Sequence, residues 1–344
     1  MSDANRRQFF RSTAFASAGL AVATKQETTV AAQEIERDDT LRAQLLRCLG
    51  GPWPTTGELN AETVKRQQQD GYRLEWISYQ AEPHDRVPAI LIIPDGVSAN
   101  SPAPAIAVWH QHNGQWHLGK SEPAGLAGKP MHHTGVALAK QGYVVLCPDA
   151  LCFEERQDPE RKLKAGQFER FEFLRYTVGG KSLAWKNILD MRRAIDLLVS
   201  RDEVIAGKLG CYGHSMGSTH TWLVGPWEPR LRCLVGNCCL PTYAAIERAK
   251  LLHCFPNFVP GFQQYGDTPD VAGLIAPRRL HLNFGERDGG SPIAEVRAGV
   301  ETIRAAYAAA GAEEKFSYFI QDVGHVLSPE MWTKTKATFA AELM

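Results

Sequence analysis

Gly213-His214-Ser215-Met216-Gly217 is a Gly-x-Ser-x-Gly pentapeptide, a spacing suited to nucleophilic catalysis. A serine hydroxyl attacks well only when a base removes its proton. The glycines permit a sharp strand-to-helix turn, which lifts Ser215 clear of the backbone and aims the N–H of Met216 at a forming oxyanion. His325, in Asp322-Val323-Gly324-His325, is the candidate base. Asp288, in Phe284-Gly285-Glu286-Arg287-Asp288, is the candidate carboxylate that fixes the histidine tautomer and stabilises the imidazolium. The order Ser215, Asp288, His325 is one in which such triads occur. Asp322 is the rival acid, with too short a tether to face the imidazole easily. Glu286 is a third nearby carboxylate.

A second oxyanion donor is expected from the backbone of the loop His110-Gln111-His112-Asn113-Gly114-Gln115-Trp116-His117. This loop, with His132 and His133, is rich in potential metal ligands. But His110 and His112 alternate along an extended chain, and no carboxylate accompanies them at ligand spacing. No metal is therefore expected, and acyl transfer through a serine needs no organic cofactor.

These residues must be held by alternating strands and helices. Short apolar runs at 89–93, 105–109, 143–147, 209–212, 231–235, 279–284 and 316–320 read as buried strands. Helical stretches lie between them at 135–141, 185–200 and 295–310. In the second of these, Ile188, Met191, Ile195 and Leu198 share one face. Strands separated by helices predict a mostly parallel sheet covered on both faces, with ligands bound at the strand C-termini. Two long connections, 150–183 and 238–275, are expected to wall the pocket.

The chain has 38 basic and 38 acidic residues, a balance that argues against nucleic acid or an anionic membrane as partner. At the N-terminus, Arg6-Arg7-Gln8-Phe9-Phe10 precedes the short, weakly apolar stretch 12–23. The pattern reads as a twin-arginine export signal, too short to span a bilayer, for which about 20 residues are needed. The expected organisation is a signal and linker over 1–32 and a single domain over 33–344, exported to the periplasm or beyond. The eight cysteines read mostly as buried free thiols, with room for one bridge. The sequence gives no oligomeric state.

From about Leu74 to Phe339 the chain resembles the bacterial α/β-hydrolases grouped with acetyl xylan esterases and dienelactone-hydrolase-like proteins. The shared features are 110–114, Asp149 with Phe153-Glu154-Glu155-Arg156, the serine pentapeptide, Pro260-Gly261 with Asp267, Ala276-Pro277-Arg278 and Gly324-His325. The resemblance implies the α/β-hydrolase fold and a serine esterase, often acting on acylated carbohydrates. It further implies His110, Asp149 and Arg156 as substrate-binding residues. Dienelactone hydrolases use a cysteine nucleophile where this chain has Ser215, so that activity is not implied. Relatives commonly open the oxyanion loop with His-Gly-x and donate a backbone N–H one or two residues past the histidine, which implies Gln111 or His112 as the donor here, with Gln111 standing where they have glycine. The rival readings are an acyl-peptide hydrolase or peptidase, and a hydrolase fold used only for binding.

Overall fold

The computed structural model describes residues 40–344. The export signal expected over 1–32 lies outside the described residues. The strands are β1 (Glu62–Gln69), β2 (Tyr72–Glu82), β3 (Asp85–Pro94), β4 (Ala103–Trp109), β5 (Val144–Pro148), β6 (Val204–His214), β7 (Leu231–Asn237), β8 (Arg279–Gly285) and β9 (Phe316–Gln321). The helices are α1 (Leu41–Leu49), α2 (Thr134–Ala139), α3 (Gly166–Val178), α4 (Leu183–Val199), α5 (Met216–Val224), α6 (Tyr243–Ala249), α7 (Thr268–Gly273), α8 (Ile293–Ala309) and α9 (Pro329–Leu343).

All nine strands join one sheet in the order β1-β2-β3-β5-β4-β6-β7-β8-β9. Pairing is antiparallel from β1 to β5 and parallel from β5 to β9. This is the α/β-hydrolase arrangement, with helices on both faces. One face packs against α1, α4, α5 and α8, burying Leu45, Ile188, Ile195, Trp222 and Val300. The other packs against α2 and α9, burying Leu138, Met331, Phe339 and Leu343. Every residue of β4 and β5 is buried, as strands covered on both faces require. Ser182 starts α4 by accepting the Trp185 N–H at 3.1 Å, and all four apolar residues expected on the α4 stripe are buried.

The antiparallel end exceeds the sequence reading. β1 reads Glu-Thr-Val-Lys-Arg-Gln-Gln-Gln and is almost wholly exposed, so no apolar run marks it. It forms because β2 offers it a ladder, with register from Glu62–Ser78 to Gln69–Tyr72 and an irregularity between Thr63 and Lys65. All eight cysteines are unbridged, and Cys147 and Cys211 fill the core as small apolar groups. Among the described residues no helix is long and apolar enough to cross a membrane.

Candidate active site

Ser215 sits between β6 and α5 with φ +58° and ψ −119°, in a region that a side chain-bearing residue occupies only under strain. The flanking glycines make that turn possible. A Cβ on Gly213 would lie 2.0 Å from the Gly217 carbonyl oxygen, and one on Gly217 would lie 2.1 Å from that of Trp109. The elbow is thus wedged against the end of β4, and any side chain at either glycine would force it open.

Three loops at the C-terminal ends of β6, β8 and β9 bring Ser215, Asp288 and His325 together. His325 Nε2 lies 2.8 Å from Ser215 Oγ, and His325 Nδ1 lies 2.7 Å from Asp288 Oδ2. The second Asp288 oxygen accepts the Gly290 N–H at 2.9 Å. The turn carrying Asp288 is tied to the histidine loop by Glu286 N–H to Gln321 O and Arg287 N–H to Val323 O. Asp322 points to solvent and pairs with Arg287 at 2.8 Å, while Glu286 pairs with Arg297 at 2.9 Å. Neither rival carboxylate faces the imidazole.

Behind His325 stand two more imidazoles. The His214 ring lies 5.1 Å from that of His325 and 4.8 Å from that of His132. Burial holds His214 well below the usual histidine range and lowers His132 to about 4, so both are neutral packing groups.

The loop after β4 crosses the elbow. The Ala150 N–H donates to His110 Nε2 at 3.1 Å, which leaves the proton on Nδ1 to donate to the Gln111 carbonyl at 2.7 Å. Burial lowers His110 to about 4 and keeps it in this neutral form. The bond fixes the trans peptide between Gln111 and His112, so the His112 N–H projects away from His110. The Gln111 side chain donates to Glu122 at 2.9 Å. Among the described residues no acceptor meets the backbone N–H of Met216, Gln111 or His112.

The Abhydrolase family model matches residues 39–335, nearly the whole described chain. The chain belongs to the Abhydrolase family. The Bacillus subtilis (strain 168) protein named "Putative hydrolase YtaP" is 27% identical over 290 residues, covering 83% of this chain and 92% of that one. Among solved structures, a glucuronoyl esterase from Solibacter usitatus superposes with a TM-score of 0.65 at 17% identity, covering 92% of this chain and 93% of that one. An acetyl xylan esterase from Paenibacillus sp. R4 gives 0.58 at 16% identity, covering 92% and 95%. At these identities the structural likeness is one of fold.

In this Abhydrolase, Ser215, Asp288 and His325 open into a cavity of about 930 Å³. Both long connections wall it, through Gly166, Gln167, Glu169 and Arg170 on one side and Leu251 to Phe255 with Phe258 on the other. His112 and Trp116 close the end nearest β4. His253 accepts the Cys254 and Asn257 N–H groups at Nδ1, so its Nε2 donates to the Gly290 carbonyl at 3.1 Å. Burial lowers it to about 4.

His110, Asp149 and Arg156, expected to bind substrate, are not among the residues that line this cavity. Asp149 is held by the Lys120 backbone and ammonium at 2.7 and 2.8 Å. Arg156 is buried between Asp190 at 2.7 Å and Asp85 at 2.8 Å. Breaking such a buried pair costs several kcal/mol, so these charges are held by their partners in the fold. Nor do the clustered histidines converge on one point: among the described residues they belong to no common set of metal-ligating atoms. Glu169, Arg170, His253 and the aromatic wall carry no motif and are absent from the sequence reading. In α3 the usual pattern is inverted, with Glu169 and Glu172 buried while Phe171, Leu174 and Val178 are exposed.

Proposed function

We propose that this chain is a serine esterase that deacylates carbohydrate esters. The observation that carries the reading is the continuous line from Ser215 Oγ through His325 to Asp288, with bonds of 2.8 and 2.7 Å, at the floor of an open cavity. Ser215 attacks the ester carbonyl while His325 Nε2 takes its proton, and Asp288 stabilises the imidazolium. The N–H groups of Met216 and His112 hold the oxyanion; Gln111 is the alternative to His112. Their lack of other acceptors, and the His110 bond that fixes the Gln111–His112 peptide, support this assignment. Such a donor supplies about 2.7–4 kcal/mol to the transition state. His325 then protonates the leaving alcohol, and a water deprotonated by the same base releases the acid.

The carbohydrate part of the reading draws on cavity size and on the names of proteins of like fold, an acetyl xylan esterase and a glucuronoyl esterase among them. The same reading has the protein exported through the twin-arginine route, on Arg6-Arg7 and the weakly apolar stretch after them. The test is Ser215→Ala. It should abolish turnover of p-nitrophenyl acetate and labelling by a fluorophosphonate, with an unchanged circular dichroism spectrum. Retained turnover would remove Ser215 from the mechanism. A panel of acetylated sugars, uronate esters and aryl esters then identifies the acyl and alcohol groups.

A further inference from the structure

We infer that Cys238, Asp288 and His325 form an inhibitory binding site for a thiophilic divalent cation such as Zn²⁺. Cys238 follows β7 directly and holds φ +55°, an uncommon conformation for a residue with a side chain. That backbone puts its thiol against the acid and base of the line just described. The Cys238 Sγ, an Asp288 carboxylate oxygen and a His325 ring nitrogen all lie within 4.8 Å of one another.

Thiolate, carboxylate and imidazole are the three side-chain types that zinc prefers, with bonds of about 2.0–2.3 Å. A tetrahedral ion with such bonds spaces its ligand atoms roughly 3.3–3.7 Å apart. The His325–Asp288 contact of 2.7 Å therefore widens by less than about 1 Å. Cys238 gives up its 3.3 Å bond to the Val326 carbonyl and turns inward. The ion reaches the site from the cavity, where the His325 side chain is 39% exposed, and water fills the fourth position.

The proton balance explains why binding inhibits. In the resting site His325 carries its proton on Nδ1, facing Asp288, and Nε2 accepts from Ser215. Zinc at Nδ1 leaves the neutral ring with its proton on Nε2, and the Cys238 thiol releases one proton to solvent. No electrons move. A protonated Nε2 has no lone pair for the Ser215 proton, so the nucleophile stays a hydroxyl. Loss of activity rests on the esterase reading, whereas binding of the ion does not.

The test measures ZnCl₂ binding to the purified chain by calorimetry, alongside the Co²⁺ spectrum and inhibition of p-nitrophenyl acetate turnover. One zinc should bind per chain, Co²⁺ should give a thiolate charge-transfer band, and Mg²⁺ should do neither. Cys238→Ser should keep its zinc-free turnover, weaken zinc binding by at least about tenfold and lose the cobalt band. Asp288→Asn, as a second variant, should also weaken zinc binding while retaining Cys238. Equal zinc affinity in wild type and Cys238→Ser, or a cobalt band that survives in that variant, overturns the proposal. Cys238-dependent zinc binding in a chain that turns over no ester upholds the site and removes only the esterase reading.

Discussion

Glu169 and His112, 57 residues apart in sequence, are joined by a 2.9 Å hydrogen bond that pins α3 to the loop crossing the Ser215 turn. The same Glu169 oxygen accepts the Trp116 indole N–H at 2.7 Å. His112 accepts the Gly114 N–H at Nδ1, so Nε2 is the proton-bearing nitrogen that donates to Glu169. One buried carboxylate thus sets both the imidazole and the indole that close one end of the cavity.

Glu169→Ala should lower kcat/KM by about tenfold, the equivalent of a charged hydrogen bond with a net worth of about 1.5 kcal/mol. Glu169→Gln keeps an acceptor oxygen and should lose less. The ratio of the two, measured on one activated ester, separates positioning of the loop from general loss of fold.

Asp288→Asn should preserve the fold and reduce kcat by up to about 10⁴, because a neutral amide no longer stabilises the imidazolium. Asp322→Asn should change kcat little, since Asp322 is paired with Arg287 at the surface. Steady-state kinetics on both variants checks the assignment, and a larger loss at Asp322 would reverse it.

Gly217→Ala should destabilise the chain by about 1–3 kcal/mol or more, as an overpacked contact that backbone alone must relieve. The added methyl meets the Trp109 carbonyl at 2.1 Å, and no flexible side chain is there to yield. A lower urea midpoint together with lost turnover is the expected result. An unchanged midpoint would mean that the end of β4 moves freely.

Stability should fall as pH drops from about 6.5 toward 4. His110, His132, His253 and His281 are all lowered to about 4 by burial. Between those values the unfolded chain binds protons that the folded chain refuses, so acid favours unfolding. The full contribution is present above the unfolded value and is lost as pH falls toward the folded one. Each such histidine adds up to about 1.4 kcal/mol per pH unit in that window. Urea titrations at pH 7, 5.5 and 4.5 read the slope directly. Stability that is flat across the window would show that these imidazoles are protonated in the folded state.

The parallel half of the sheet and the Ser215, Asp288, His325 line were legible because each follows a local rule. Fully buried strands are short apolar runs, and the elbow needs glycine at two fixed positions. The polar β1 was not legible, since an exposed edge strand takes its shape from its neighbour and leaves no apolar trace. Glu169 escaped for a related reason. Its burial depends on His112 and Trp116, which reach it only in the folded chain. The buried pairing of Asp149 and Arg156 was not legible either, because a charged residue in a shared motif reads alike whether it meets a substrate or a buried counter-ion. Lys120, Asp85 and Asp190, the partners that hold them, are scattered over more than 100 residues of sequence.

The polar outer strand β1 also decides what kind of edge the sheet presents. A sheet that ended at β2 would present Trp76 and Ile77 beside an open row of N–H and C=O groups, a template for growth by a second molecule. Instead β1 takes those bonds and turns a charged flank outward, with Lys65 laid over the Trp76 ring at 4.2 Å and Arg66 paired to Glu75 at 3.1 Å. The irregularity between Thr63 and Lys65 breaks the repeat that an incoming strand would have to match. β1 therefore works as a guard rail: it stabilises little core of its own, and the sheet edge it leaves outermost is polar and irregular, a poorer template for a second sheet than β2 would be.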